Sequence, residues 1–310
     1  MVAKSRSRDS KNCVTRCMCN TGQPAMHPFT RVLTPEARET EYRRVDSSVR
    51  HAGQLKLILS EIEFLTPFNK EDGTQYVVVY AGASPGLHIP RLAGMFRRMH
   101  FILVDPQPSF MSNGEYVNIE VICDFMTDEL SRELAAKYSS GRILFISDVR
   151  IGADSDTETD REQQIRIQRD MDIQKEWNAI LQPVSSMFKF RLPWDLTQNT
   201  HYLSGQIQLP IFGKKLTHET RLIVQAGAPD VPYENRRYER QMAYFNQYVR
   251  PSTYEDGRCY DCVAFRQVVS AYLGTGDADL VDTMCREIEQ QIQAACRIWA
   301  RKRQLMESEK

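Results

Sequence analysis

Residues 76–88, YVVVYAGASPGLH, decide the fold. Tyr76 to Ala81 form an unbroken apolar, β-branched run, the pattern of a strand buried on both faces rather than on one. Gly82 ends the run, and Ser84-Pro85-Gly86 turn the chain before IPRLAGMFRR (89–98) takes up a helical period. A buried strand, a glycine-rich turn and a helix make half of a βαβ unit.

The pattern repeats on the C-terminal side. HFILVD (100–105) reads as a second buried strand ending in Asp105, and VNIEVICDFM (117–126) as a third strand and its exit. DELSRELAAKYS (128–139) reads as a helix, and RILFISDVR (142–150) as a fourth strand that runs into Asp148. REQQIRIQRDMDIQKEWNAIL (161–181) is a long helix after an acidic loop, SSMFKFRLPWD (185–195) starts as a strand, and THETRLIVQ (217–225) is another. NRRYERQMAYFNQYVR (235–250) is helical. Upstream, GQLKLILSEIEFLTPF (53–68) carries Leu55, Ile58, Leu59, Ile62 and Leu65 on one helical face, with Lys56 and Glu63 off it. Strands alternating with helices predict an α/β, doubly wound sheet flanked by helices, which binds ligands at the carboxyl ends of its strands. GASPG, Asp105 and Asp148 all fall at such ends.

The ends of the chain read differently. Residues 1–35 are basic, rich in polar residues and without period, as expected of a disordered arm; it is either a plain tail or a contact for RNA phosphates. Residues 36–275 hold the α/β domain. Residues 276–310 form a terminal helix whose stripe, Val281, Met284, Ile288, Ile292, Ala295 and Trp299, docks on the domain core or on a partner, the core being the commoner use. The formal net charge of +0 gives no global field for nucleic acid, so any polyanion site has to come from local clustering. No apolar run approaches the roughly 20 residues of a membrane span. Among the eight cysteines, CVTRCMC and CYDC are conceivable halves of a zinc site, but their spacing is irregular and they lie at opposite ends of the chain, so free thiols are the simpler reading.

Two constellations carry chemistry. The turn after the first strand is not G-x-G-x-x-G, which disfavours NAD; a nucleoside without phosphates, such as S-adenosylmethionine, suits it better, with Asp105 placed to accept from ribose hydroxyls. The second is Lys56, Asp148, Lys189 and Glu219. Lys189 lies between Phe188 and Phe190, and Glu219 lies in an apolar strand pattern. Buried charges persist only when paired, and two lysines with two carboxylates balance. Each also has an ordinary reading: Lys56 as a solvated helix residue, Glu219 as the partner of Arg221.

Seven ordered blocks, GQLKLILSEIEFL, VVYAGASPGLHI, ILVDP, ILFISDVR, PVSSMFKFRLPW, HETRL and YERQMAYFNQYVR, resemble the poxvirus cap-specific mRNA nucleoside-2′-O-methyltransferase family, whose members double as the regulatory subunit of the viral poly(A) polymerase. The resemblance spans roughly residues 40 to 270 and implies a Rossmann-like, S-adenosylmethionine-dependent methyltransferase sheet. It implies methyl transfer to the ribose 2′-oxygen of the first transcribed nucleotide of capped mRNA, in the host cytoplasm and virion. The partners it implies are capped mRNA and a poly(A) polymerase catalytic subunit, with no metal and no membrane. The family's Lys-Asp-Lys-Glu tetrad matches Lys56, Asp148, Lys189 and Glu219, with Lys189 beside the target hydroxyl. There a neutral amine would remove or steer the hydroxyl proton; burial and a neighbouring ammonium favour that form, and carboxylates oppose it.

By the same resemblance Gln54, Tyr80, Gly82, Gly86, Asp105, Met126 and Asp148 line the methyl-donor pocket. Gln107 stands where the family has arginine, and Met126 where it has valine. For the cap, N7-methylguanine is a cationic ring that two aromatic side chains can sandwich. Trp194 takes the place of the family's phenylalanine, Tyr42 is assigned to the other wall, Glu239 matches the guanine-reading glutamate, and Asp195 substitutes for a second acid. Two other readings stand beside this one: a catalytically silent, RNA-binding polymerase subunit, and a 2′-O-methyltransferase acting on other RNA.

Overall fold

The structure is a computed structural model that describes residues 24–25, 28–43, 52–107, 114–138, 140–150, 159–194, 198–254 and 257–308. Its centre is a seven-stranded sheet. In chain order the strands are β1 (Val77–Ala81), β2 (His100–Val104), β3 (Ile119–Ile122), β4 (Ile143–Ser147), β5 (Ser185–Phe190), β7 (Gln206–Gln208) and β8 (Thr220–Gln225). Their spatial order is β3-β2-β1-β4-β5-β8-β7. The five strands from β3 to β5 are parallel, while β8 runs antiparallel to both β5 and β7. Every residue of β1 and β4 is buried, as the unbroken apolar runs require of strands covered on both faces.

The covering helices fall into two groups. α1 (Gly53–Leu65), α2 (Ile89–Met95), α6 (Tyr260–Leu273) and α7 (Ala278–Ser308) pack among themselves; α3 (Asp128–Lys137) packs on α4 (Asp160–Leu181), which lies on β4 and β5. Right-handed crossovers place the two groups on opposite faces, because the chain leaves β1 toward β2 and returns past it to β4. This is a Rossmann-like, doubly wound α/β architecture with an antiparallel hairpin at its far edge. The α1 stripe is buried as its period predicts, from Leu55 at 2% exposure to Leu65 at 0%. α4 starts at a capping box, Thr159 with Glu162, and α3 at the Thr127 side chain, which accepts from the Leu130 amide. Polar strands β6 (Asn199–Leu203) and β9 (Asp230–Glu234) pair into a separate ribbon and precede α5 (Asn235–Tyr244). Their short, alternating patterns carry no continuous apolar signal.

Both ends of the described chain are held against the domain core. Residues 28–35 belong to the body. Leu33 is buried, its amide donates to the Ile207 carbonyl at 2.8 Å, and Arg31 reaches Glu63 and the Tyr260 hydroxyl, each at 2.8 Å. A segment with no period of its own is thus ordered by tertiary contacts; residues 1–23 lie outside the described set. α7 docks on the core through Val281, Cys285, Ile288 and Ile292, all buried. Among the described residues no helix is long and apolar enough to cross a membrane.

Candidate active site

The four charged residues singled out by sequence converge at the carboxyl edge of the sheet. Asp148 directly follows β4, and Lys189 lies one residue before the end of β5. Because β8 is antiparallel to β5, its start lies beside the end of β5, and Glu219, the residue before β8, comes to the same edge. Lys56 joins them from the first turn of α1. Its Nζ lies 2.5 Å from Glu219 Oε1, while Lys189 Nζ lies 3.0 Å from Asp148 Oδ1 and donates to the Asp148 carbonyl at 2.9 Å.

A fifth residue ties the pairs together. Arg221 Nη2 donates to Asp148 Oδ1 at 2.8 Å, and Nη1 lies 3.4 Å from Glu219 Oε1. Arg150 holds the other Glu219 oxygen at 3.0 Å. Sequence reasoning took Arg221 only as an ordinary partner of Glu219. The signal was present, since an arginine inside TRLIV must bury its charge against carboxylates. Burial disfavours charge on Glu219, but Lys56, Arg221 and Lys189 outweigh it and hold the carboxyl well below its usual range. Burial likewise works against Asp148, and Lys189 and Arg221 bring it below the ordinary value. Burial and then Arg221 lower the Lys56 pKa against the pull of Glu219 and Asp148.

Beside this cluster lies a cleft of about 600 Å³ lined in part by Gly82, Asp105, Gln107, Phe125, Met126 and Arg150. It sits over β1 and β4, where the strand order reverses. Gly82, at φ +78°, serves first the chain's own packing: a Cβ there would meet Val149 N at 2.8 Å and the Asp148 carbonyl carbon at 2.9 Å. The nearest neighbour there is the strand exit that carries Asp148. Asp105 is fixed by two backbone amides, Ser84 to Oδ2 at 3.1 Å and Gln107 to Oδ1 at 2.8 Å. Gly86 closes the same turn at φ +68°.

Gln54 and Tyr80 are held differently. The Tyr80 ring is buried and does not line the cleft; its hydroxyl donates to Glu61 Oε1 at 2.7 Å. Gln54 Oε1 lies 2.8 Å from His88 Nδ1, and His88 Nε2 lies 2.9 Å from Glu61 Oε1. Glu61 is fully buried. Its position three residues after Ile58 and four before Leu65 places an acid on the apolar stripe of α1, a signal the sequence reading passed over. Charge explains it in part. Arg221 adds a cation to the balanced tetrad, and Glu61 bears on Arg221 as a further anion.

On the neighbouring face Trp194 and Tyr42 are each about half exposed, and both approach one imidazole. His218 lies 6.0 Å from the Trp194 ring and 5.9 Å from the Tyr42 ring, centroid to centroid. The Arg191 guanidinium rests over Trp194 at 4.9 Å. Arg150 and Arg166 lie near enough to Arg191 to add to burial in lowering its basicity, which marks a local concentration of positive charge. Glu239, on α5, feels Glu41 beside Tyr42; burial and that carboxylate raise its pKa. Asp195 lies outside the described residues. His218, the imidazole that both aromatics approach, had not been singled out.

The comparisons follow the geometry. Cap-specific mRNA (nucleoside-2′-O-)-methyltransferase of Myxoma virus (strain Lausanne) is 26% identical over 215 residues, 64% of this chain and 62% of that protein. The protein of that description from Fowlpox virus (strain NVSL) is 26% identical over 239 residues, 72% of this chain and 76% of its own length. The chain thus spans about 62% of the Myxoma virus relative's length. Among solved structures, a putative ribosomal RNA methyltransferase from Plasmodium falciparum aligns with a TM-score of 0.38 and 12% identity over 57% of this chain and 97% of that one. A family model described as poly A polymerase regulatory subunit matches residues 23–264. The chain belongs to the poly A polymerase regulatory subunit family.

Proposed function

We propose that this chain transfers a methyl group from S-adenosylmethionine to the ribose 2′-oxygen of the first transcribed nucleotide of N7-methylguanosine-capped mRNA. The observation that carries the reading is the convergence of Lys56, Asp148, Lys189 and Glu219, from four separate elements, on one carboxyl edge beside a nucleoside-sized cleft. A protein that only bound a polymerase would have no use for so many charges desolvated together.

The residues present fit the donor. The cleft pairs the acceptor carboxylate of Asp105, suited to ribose hydroxyls, with the apolar walls of Phe125 and Met126, suited to a purine. S-adenosylmethionine supplies a sulfonium-activated methyl group. Lys189, held by the Asp148 carboxylate and carbonyl, is directed at the target hydroxyl and removes or steers its proton as the oxygen attacks. Glu219, clamped by Lys56, Arg221 and Arg150, fixes the other side of the cluster. Trp194 and Tyr42 form the walls for the methylated guanine, Glu239 reads its edge, and the arginines beside Trp194 meet the phosphates.

The test is methyl transfer to a short capped RNA. Lys189→Ala is expected to lower kcat by about 100-fold or more while S-adenosylmethionine still binds, the usual scale for loss of an acid–base group. Full activity in the variant would remove Lys189 from the mechanism. A poly(A) polymerase catalytic subunit is the partner the family description favours, and host cytoplasm and virion are the places where such a protein would act. Co-purification with that subunit tests the partnership apart from the chemistry.

A further inference from the structure

The motif CYDC (259–262) takes no part in the reaction as described. Cys259 is the N-cap of α6 and Cys262 its third residue, so both side chains belong to the first helical turn. Their thiols are hydrogen-bonded to each other and only 3% and 4% exposed. The Cys262 thiol, helped by the amides of Cys262 and Asp261, lowers the Cys259 pKa against burial and the Asp261 carboxylate. The turn beneath the pair is fixed. Asp261 pairs with buried Arg250 at 3.1 Å and accepts from the Phe212 amide at 3.0 Å, and the Tyr260 hydroxyl meets Arg31 at 2.8 Å. Two buried cysteines can serve simply as small apolar side chains. That use asks nothing of their spacing, whereas C-x-x-C is the spacing of half a thiolate metal site.

The other cysteine-rich stretch, CVTRCMC (13–19), is far away in sequence but not in the fold. Thr253 bridges Cys259 and also bridges Pro24, and the Ala25 amide donates to the Thr253 carbonyl at 2.8 Å. Phe29 then stacks on Tyr260 at 5.0 Å and meets Tyr254 edge-on at 5.4 Å, centroid to centroid. Bridged neighbours lie about 5 Å apart, so Pro24 is no more than about 10 Å from Cys259. Cys13, Cys17 and Cys19 lie outside the described residues. Cys19 and Cys17 are five and seven residues before Pro24. Chain of those lengths spans up to about 17 and 24 Å, which brings the CYDC pair within reach.

We propose that Cys259 and Cys262, together with Cys17 and either Cys13 or Cys19, bind a zinc ion through four thiolates. Cys17 belongs to both possible pairs, C-x-x-x-C with Cys13 and C-x-C with Cys19. Among the described residues no group of three or more candidate ligands is assembled, so CYDC supplies two and the N-terminal stretch the others. Four sulfur ligands suit zinc, which takes tetrahedral thiolate sites and has no redox chemistry of its own. Each cysteine gives up its thiol proton to solvent as the sulfur–zinc bond forms. Four thiolates and one zinc ion leave a net negative charge, and Arg16 and Arg258, each next to a cysteine, offset it. The ion would tie the start of the chain to α6, away from the donor cleft, and is independent of the methyl-transfer reading.

Metal analysis of the reduced full chain, after dialysis in a zinc buffer, tests this. The parent is expected to hold one zinc per chain, and its cobalt-substituted form to show the intense visible bands of tetrahedral thiolate coordination. Cys262→Ser and Cys17→Ser are each expected to weaken zinc at least about tenfold in competition with a chromophoric chelator. Cys17→Ser alters none of the described residues, so it reports on the site even where Cys262→Ser does not fold. Cys123→Ser, at an exposed thiol beside Pro106, is the control and keeps the parent's affinity. A reduced parent that takes up no zinc overturns the proposal. Unchanged affinity in Cys17→Ser, or an equal loss in Cys123→Ser, overturns it as well.

Discussion

Lys189 and Arg221 stand directly opposite one another across the antiparallel pair β5–β8. Like charges in that position repel, by about 0.2–1 kcal/mol even on an open sheet. Here both also lie at the buried edge of the sheet, with side chains 13% and 7% exposed. The Asp148 carboxylate resolves the conflict, since Lys189 at 3.0 Å and Arg221 at 2.8 Å share its Oδ1. A lysine between two phenylalanines is therefore one arm of a three-charge bridge.

Removing the bridging cation should be costly. Arg221→Met leaves Asp148 and Glu219 buried without their common partner and is expected to destabilise the fold by about 3–5 kcal/mol, the range for breaking a buried ion pair. Urea denaturation followed by circular dichroism measures it. A loss below about 1 kcal/mol would mean that the lysines alone neutralise the two carboxylates.

Acid stability should show two windows. Burial, with Arg191 nearby, lowers the His218 pKa to about 4 from 6.5. The unfolded chain binds a proton at His218 that the folded chain refuses, so stability falls as pH drops from about 6.5 toward 4. The whole step amounts to about 3 kcal/mol at most. Asp148 and Glu219, whose folded pKa values are depressed, contribute stability that is present above the ordinary carboxylate range and lost as pH falls through their lower folded values. His218→Asn should flatten the upper window and leave the lower one. An unchanged slope between pH 6.5 and 4 would place the titration elsewhere.

Cap selectivity should depend on Trp194. Trp194→Ala is expected to reduce the preference for N7-methylated over unmethylated capped RNA by about tenfold in kcat/KM, from loss of cation–π stacking. Trp194→Phe should keep most of it. Equal use of both RNAs by the parent would remove Trp194, Tyr42 and Glu239 from cap recognition.

The segment before α1 should behave as part of the domain. Arg31→Ala removes contacts to Glu63, Tyr260 and the Leu209 carbonyl and is expected to cost about 2 kcal/mol. A chain starting at Pro24 should melt at a higher temperature than one starting at Glu36, because the longer chain keeps Leu33 in the core. Equal melting temperatures would show that the strap adds no stability.

Much of this could be read from local pattern. β1, β2, β4 and α1 were legible because their burial is continuous or strictly periodic, and both patterns are properties of neighbouring residues. β6, β7 and β9 were not, because three to five polar residues acquire strand geometry only from a partner far along the chain. Among site residues, Lys189 and Glu219 drew notice as charges in apolar surroundings. Arg221, Glu61 and His218 were equally out of place; Arg221 had an innocent local explanation as the partner of Glu219, and the other two were passed over. Residues 28–35 failed for the opposite reason: their order comes from contacts with β7, α1 and α6.

By itself, then, the sequence determined the alternation of buried strands and helices, the glycine turn after β1, and the set of charges that could not stay unpaired in apolar strands. Those depend on short-range sterics and on the cost of burying charge, which act on each stretch wherever it finally lies. Only the tertiary structure decided which charges pair. The reversal of β8 against β5 brings Glu219 and Arg221 to the same edge as Asp148 and Lys189, and α1 lays Lys56 and Glu61 against them. Proximity across 163 residues of chain, as between Lys56 and Glu219, follows from sheet order, which no local pattern specifies.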